Sequence, residues 1–277
     1  MIIANNTGGL SNRLKAFASS VRLGKQLERQ VGIKWDILDN YKTHNHILNC
    51  PFSKLFTNNI EVEQIRSNDI TLDDRVSHCL VIYDSDNIPH NFNDFNSKCA
   101  KQFTKADKYN RNIDFMYNKI PDSLKIEYIK YFRLLEPIKE ISDNIDLFLK
   151  LFDSNTISVH IRSWNRNAES SRRKSLFNIE LFEAEMKKYP DSNFFIATDS
   201  QAVKDYFIGH REFSNRIHIY PRLTPLDNSR DYYKGIQEDL IELYLLSKNS
   251  HIIGSHFSTY TEVAWWLGGC CEKVTII

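Results

Sequence analysis

The 277-residue chain carries no excess of charge of either sign: 36 Lys and Arg stand against 35 Asp and Glu, a net of +1. That balance argues against nucleic-acid or anionic-membrane binding as the main activity. The chain also has no C-x-x-C pair, and its five cysteines, Cys50, Cys79, Cys99, Cys270 and Cys271, are an odd number. Cys270 and Cys271 are neighbours, an awkward arrangement for a disulfide with each other. This is the pattern of a reduced chain, so the expected location is the cytoplasm rather than a secreted, disulfide-built setting. No uninterrupted apolar run reaches the ~20 residues needed to span a bilayer. The opening MIIANNTGGLSNRLK lacks a basic segment followed by a long apolar stretch. Neither a transmembrane segment nor a signal peptide is therefore expected; peripheral membrane association stays compatible with the sequence.

Several chemistries are missing as well. The Gly turn Thr7 to Arg13, TGGLSNR, has neither the Gly-Lys-Ser/Thr ending of a Walker A loop nor the spacing of G-x-G-x-x-G. No Cys/His set has zinc spacing, and His44 and His46 near Cys50 do not make one. There is no G-x-S-x-G elbow, no internal repeat and no low-complexity segment.

What is present is an ordinary globular composition, 42% hydrophobic and 26% charged, enough for a substantial core. Met1 to Asn5 reads as a strand, Ser11 to about Arg29 as a helix with Leu14, Phe17, Ala18 and Val21 on one face, and Val31 to Ile37 as a second strand. Leu23 and Leu27 fall off that face, so the helix is expected to be contacted on more than one side. Cys79 to Tyr83 is strand-like, and Asp84 to Lys101 is polar loop. Asp122 to Phe152 is helical with Pro137 splitting it. Strands at 156–161, 194–197, 217–220, 251–254 and 274–277 then alternate with helices at 178–189, 200–207, 236–247 and 258–267. This alternation predicts an α/β fold with parallel sheets, divided into residues 1–145 and 146–277.

In such folds ligands sit beyond the carboxyl ends of strands, near the next helix. That rule selects Gly8 to Arg13, His160 to Asn165, Asp199 to Ser200 and Ser255 to Thr259. The Gly turn either lets the backbone approach an anion or is a tight turn with Ser11 or Asn12 as helix cap. In SVHIRSWNRN, His160 and Arg162 share a face because strands have period two. Arg162 either clamps phosphate oxygens with its planar fork or pairs with a structural carboxylate. Asp199 opens a helix, as a cap or as a ligand contact. Ser255, Ser258 and Thr259 either bind phosphate or form a capping box, with Thr259 as cap and Glu262 three residues later. Trp265 and Trp266 read as core. A competing signal is Asp84-Ser85-Asp86, which could hold a divalent cation bridging a donor diphosphate. The run Arg172-Arg173-Lys174 reads as a solvated loop.

Taken in order, four stretches resemble one family. GGLSNRLKAFASSVRLGKQLER, SVHIRSWN, FFIATDSQAVKDYF and GIQEDLIELYLLSKNSHIIGSHFSTYTEVA are similar to the motifs of the α-1,2/α-1,6/protein-O-fucosyltransferase superfamily, nearest the nodulation-factor branch. The match covers the first ~40 residues and most of positions 156–268; the order is more specific than any single motif. The resemblance implies a GT-B-like pair of Rossmann-like domains facing across a cleft. The first would lie on the acceptor side and the second would bind the donor. It implies an inverting, metal-independent transfer of L-fucose from GDP-fucose, with no cofactor, to a glycan or glycolipid acceptor. By position, Arg162 would assist departure of GDP and His160 would help hold the nucleotide. Asp199, with Ser200 beside it, would lie near the guanine or ribose. Ser258 and Thr259, with Ser255 near them, would bind phosphate. Gly9, Asn12 and Arg13 would reach the donor from the first domain. Many members carry a second Arg where this chain has Ser163. A metal-dependent transferase using Asp84 and Asp86, or a catalytically degenerate glycan- or nucleotide-binding protein, are the competing readings.

Overall fold

A computed structural model describes residues 1–5, 8–37, 48–73, 122–163, 177–226, 232–256, 258–271 and 273–277. The expected strand at 79–83, the loop at 84–101 with Asp84 and Asp86, the pair His44 and His46, and the basic run 172–174 lie outside the described residues.

The chain opens with β1 (Ile2–Asn5), α1 (Leu10–Gln26) and β2 (Val31–Ile33), and β1 pairs β2 in parallel through Ile2 and Val31. This is the expected β-turn-α-β unit. β2 is shorter than the expected 31–37, because past Ile33 the chain leaves β1; Lys34 still donates its N–H to Ala4 O. A strand that the sequence reading did not anticipate, β3 (Ile70–Asp73), pairs the other side of β1. Among the described residues this sheet has the order β2–β1–β3. Buried residues appear all round α1, including Arg13, Lys15, Ser19 and Arg22 as well as Leu14 and Phe17. The helix is packed on more than one side, as Leu23 and Leu27 suggested.

The long helical stretch splits into α2 (Asp122–Phe132) and α3 (Lys139–Leu149). Pro137 sits in the break, bridged to Phe56. Its missing N–H and fixed φ suit a connector and not a helix interior. In α3, Ile141, Ile145 and Phe148 recur at helical spacing and are buried.

The second sheet is built from β4 (Ile157–Ile161), β5 (Phe194–Thr198), β6 (Ile217–His218), β7 (His251–Gly254) and β8 (Lys273–Ile276). Between them run α4 (Ile179–Met186), α5 (Gln201–Gly209), α6 (Tyr233–Leu246) and α7 (Thr259–Leu267). All pairings are parallel and the order is β6–β5–β4–β7–β8. β4, β5 and β7 are buried at every position, which is why they read as near-continuous apolar runs. The chain winds outward from β4 through β5 to β6, then returns to start β7 on the other side of β4. The order therefore reverses between β4 and β7, the position at which open parallel sheets take their ligands. The smaller sheet has the same device between β1 and β3.

One buried apolar cluster spans both sheets, reaching from Ala4, Leu14 and Phe17 to Phe195, Ile252, Trp265 and Trp266. Phe132 of α2 stacks on Trp266 at 5.8 Å and 10°. The adjacent tryptophans are 1% and 0% exposed and belong to the core, as expected.

Candidate functional site

The carboxyl end of β4 meets that of β7 at the reversal point of the larger sheet. Arg162 donates its backbone N–H to Ser255 Oγ at 2.7 Å, and the same hydroxyl reaches His160 O at 3.2 Å. One buried serine thus ties the two strand ends together. The Arg162 guanidinium meets the Asp199 carboxylate, at the end of β5, at 2.7 Å. Asp199 also accepts from the backbone N–H and hydroxyl of Ser163, at 2.8 and 2.9 Å. Of the alternatives for Asp199, the helix cap is not the one observed. The cap residue of α5 is Ser200, and Asp199 is spent on Arg162 and Ser163. Ser163, standing where a second Arg is common, is 1% exposed and holds the carboxylate that aims the first Arg.

His160 points from β4 onto α7. Its Nδ1 lies 2.7 Å from Thr261 Oγ1, and its ring packs against Tyr260 at 4.9 Å. Burial pushes its pKa down to about 3; the nearby Asp199 raises it and Arg162 lowers it. The imidazole is neutral at physiological pH. Close packing of β7 on α7 fixes Thr261: a Cβ on Gly254 would come within 2.2 Å of Thr261 Cγ2. Only glycine fits there.

The helix starts differ from the expected caps. α7 is capped by Ser258 and not Thr259, and α1 by Gly9 and not Ser11 or Asn12. Glu262 does not close a capping box. Its carboxylate pairs Lys15 at 2.6 Å with neither side chain exposed, and accepts from Trp266 Nε1 at 3.3 Å. Gly9, Ser200 and Ser258 make no side-chain cap hydrogen bond, whereas Asn178 at the start of α4 accepts from Glu180 N. Three helix starts at these strand ends thus have first-turn N–H groups that no cap side chain satisfies, as do the starts of α3 and α6.

Thr259 donates its hydroxyl proton to Asn12 Oδ1 at 2.7 Å, so the first turns of α7 and α1 touch. Arg13, expected to reach the donor from the first domain, is held among partners of the smaller sheet. It is 1% exposed, donates to Gly8 O and Asp36 O at 3.0 Å each, and lies over the Trp35 ring at 4.7 Å. It braces the Gly turn from beneath.

One cluster escaped the sequence reading. Arg222 meets Glu242 at 2.6 Å, Asp239 at 2.8 Å and Glu238 at 3.6 Å. Burial acts against its charge, yet the three carboxylates more than offset this and raise its pKa. Burial pushes Glu242 up to about 7 despite Arg222. The Asp239 carbonyl accepts from the Tyr260 hydroxyl, so the cluster braces the ring that packs on His160. Acidic residues at i, i+1 and i+4 of an otherwise apolar helix were the available signal.

Among the described residues no group of three or more His, Cys, Asp or Glu is placed to hold a metal ion. Among them, too, no helix is long and apolar enough to cross a membrane.

The sequence matches no protein-family model and no curated protein. The fold does match solved structures. One is a NodZ α-1,6-fucosyltransferase co-crystallised with GDP: TM-score 0.54, 18% identity, covering 95% of this chain and 90% of that one. The same comparison with NodZ from Bradyrhizobium gives 0.52 and 18%, over 95% and 91% of the two chains. POFUT1 in complex with GDP-fucose matches at 0.50 and 12%, over 100% and 97%. The chain therefore has an α/β fold of the GT-B type with two parallel sheets, shared with these fucosyltransferases.

Proposed function

We propose that this chain is a glycosyltransferase that moves a sugar, L-fucose, from GDP-fucose to a glycan or glycolipid acceptor, with inversion and without a metal. The observation that carries the reading is the reversal point between β4 and β7. There Arg162, aimed by Asp199, is tied through its backbone to Ser255, three residues before Ser258, the cap of α7, whose side chain makes no cap hydrogen bond. Breaking the bond between sugar and nucleotide leaves negative charge on the departing diphosphate. A guanidinium and helix N–H groups already aimed at that place stabilise the charge without reorganisation.

In this reading Arg162 takes the β-phosphate and assists departure of GDP. Ser255, Ser258 and the first-turn N–H groups of α7 hold the diphosphate. Asp199 and Ser200 lie on the ribose side, and His160, neutral and fixed by Thr261, shapes the nucleotide pocket. Gly9 and Asn12 approach from the smaller sheet, with Arg13 supporting them. Residues 1–145 then form the acceptor-side unit and 146–277 the donor unit, the boundary falling within α3. Support comes from the shared fold, whose NodZ and POFUT1 representatives were crystallised with GDP or GDP-fucose.

The test is thermal denaturation with GDP, UDP, CMP and dTDP, each with and without Mn²⁺. A ligand of the native state at 100 times its Kd adds about 2.7 kcal/mol. GDP alone is expected to raise Tm by roughly 5–10 °C. A shift with UDP that needs Mn²⁺, and none with GDP, would overturn the reading. GDP binding without any transfer or donor hydrolysis would leave only a nucleotide-binding protein.

A further inference from the structure

The two sheets are joined by more than the chain that links them. On the proposed division the crossing falls within α3, whose Phe148 packs against Phe195 and Tyr220 with ring centroids 5.8 and 5.6 Å apart. α7 is held to the smaller unit at two heights. Glu262 pairs Lys15 of α1, and further along the Leu267 carbonyl accepts from both Nε and Nη2 of Arg133, at 3.1 and 3.0 Å. Between these points α2 lays Phe132 and Tyr128 against Trp266, and the Tyr128 hydroxyl accepts from Arg22 of α1 at 3.2 Å. α6 is held at two heights as well. Gln237 donates to Lys54 O at 2.8 Å, and the Tyr244 hydroxyl donates to Leu135 O at 3.3 Å. At 1.5 Å of rise per residue the paired points lie ~8 Å apart along α7 and ~10 Å apart along α6.

One unit closes on another either by a hinge across a thin seam or by helices sliding past each other. A turn about α7 would draw α6 off Lys54 and Leu135. A turn about α6 would part Glu262 from Lys15 and leave two buried charges unpaired. Sliding meets the same obstacle, because packed interiors hold discrete arrangements and do not deform smoothly. We propose that the described residues of both sheets work as one rigid body: the placement of one set of strand ends relative to the other is preset, and ligand binding there proceeds without hinge closure. This goes beyond the donor reading and stands apart from it. Where that reading holds, the charged groups are in place before the donor arrives, the condition under which they stabilise charge without reorganisation.

The test uses the full chain with two spin labels, introduced as non-natural amino acids at Gln64 and Asp205, both exposed and outside the candidate site. Pulsed electron resonance measures the distance between the labels in the chain alone and with saturating GDP, whose binding is checked by titration calorimetry. One narrow distance is expected, moved by less than about 2 Å when GDP binds. Two distances in the chain alone, or a shift with GDP beyond about 2 Å, overturn the proposal. Scanning calorimetry of the unlabelled chain is expected to show one transition with equal calorimetric and van't Hoff enthalpies. Two separable transitions overturn it too, since each unit would then hold its structure without the seam. If GDP does not bind, the donor reading falls, while the distance distribution of the chain alone and the number of thermal transitions still decide whether the units move as one.

Discussion

Lys15 meets Glu262 at 2.6 Å with neither side chain exposed, whereas Arg162 meets Asp199 at 2.7 Å with 15% and 12% of the side chains exposed. The distances are nearly equal, yet the settings differ. The first pair lies between α1 and α7, in the seam that joins the two sheets, and burial raises the Glu262 pKa while Lys15 and Trp266 oppose the rise. Removing both charges from water costs several kcal/mol per ion, and mutual attraction repays this only with good geometry. Such a pair cannot exchange partners without opening the seam. The second pair lies at strand ends beside the point where the strand order reverses. Its Arg fork can take up phosphate oxygens there, with Asp199 keeping it aimed. On the proposed reading the same two charge types serve cohesion in one place and recognition in the other, and water access decides which.

That contrast breaks most visibly in the seam. Lys15→Met or Glu262→Gln alone strands one buried partner and is expected to cost about 3–5 kcal/mol. The corresponding drop in Tm is roughly 10 °C. Lys15→Met/Glu262→Leu removes both charges and should recover most of the loss, short of about 1 kcal/mol for the indole N–H of Trp266. A double variant as unstable as the singles would show that the seam needs its charges and not only its volume. The edge pair should fail in the opposite manner. Arg162→Ala is expected to cut transfer by about 100- to 1000-fold while Tm moves by only a few degrees. Arg162→Lys should not rescue it, because an ammonium is a point charge without the fork. Undiminished turnover in Arg162→Ala would sink the assignment of this edge.

Much of this geometry could be read from residues alone. β4, β5 and β7 are buried on both faces and so appeared as apolar runs, and the glycine turn before α1 announced the first β-α-β unit. β3 did not appear, because ITLD is four residues set in polar sequence and gains its place only by pairing with β1. The caps of α1 and α7 missed by one to three residues. A cap is defined by which residue stays extended, and Gly9 and Ser258 do so while Asn12 and Thr259 already lie in the first turn. The job of Asp199 was ambiguous because capping and ion pairing ask for the same residue, and its partner Arg162, just past β4, is distant in sequence. Lys15 and Glu262 are 247 positions apart, and no local pattern links them.

The smallest effect concerns His160, which touches both regions: its ring bonds to α7 through Thr261, and its nearest charges are Asp199 and Arg162. Its pKa falls from an ordinary 6.5 to about 3 on folding, because burial disfavours the imidazolium. Between those values the unfolded chain binds a proton that the folded chain refuses, so the stability contributed at neutral pH is lost as pH falls. From pH 7 to pH 5 the loss is about 2 kcal/mol. His251, pushed by burial down to about 4, acts in the same direction. Glu242, pushed up to about 7, acts in the opposite one: folded, it holds a proton that the unfolded chain releases, so it stabilises on acidification. The net acid limb therefore conceals the individual terms, and only a difference exposes them. Urea denaturation of wild type and His160→Asn at pH 7 and pH 5 should show the variant losing about 2 kcal/mol less over that interval. Glu242→Gln should deviate with the opposite sign. If His160→Asn keeps the full acid loss, the imidazole is already charged in the fold. The neutral, Thr261-anchored ring would then have to be replaced by an imidazolium drawn toward Asp199 in competition with Arg162.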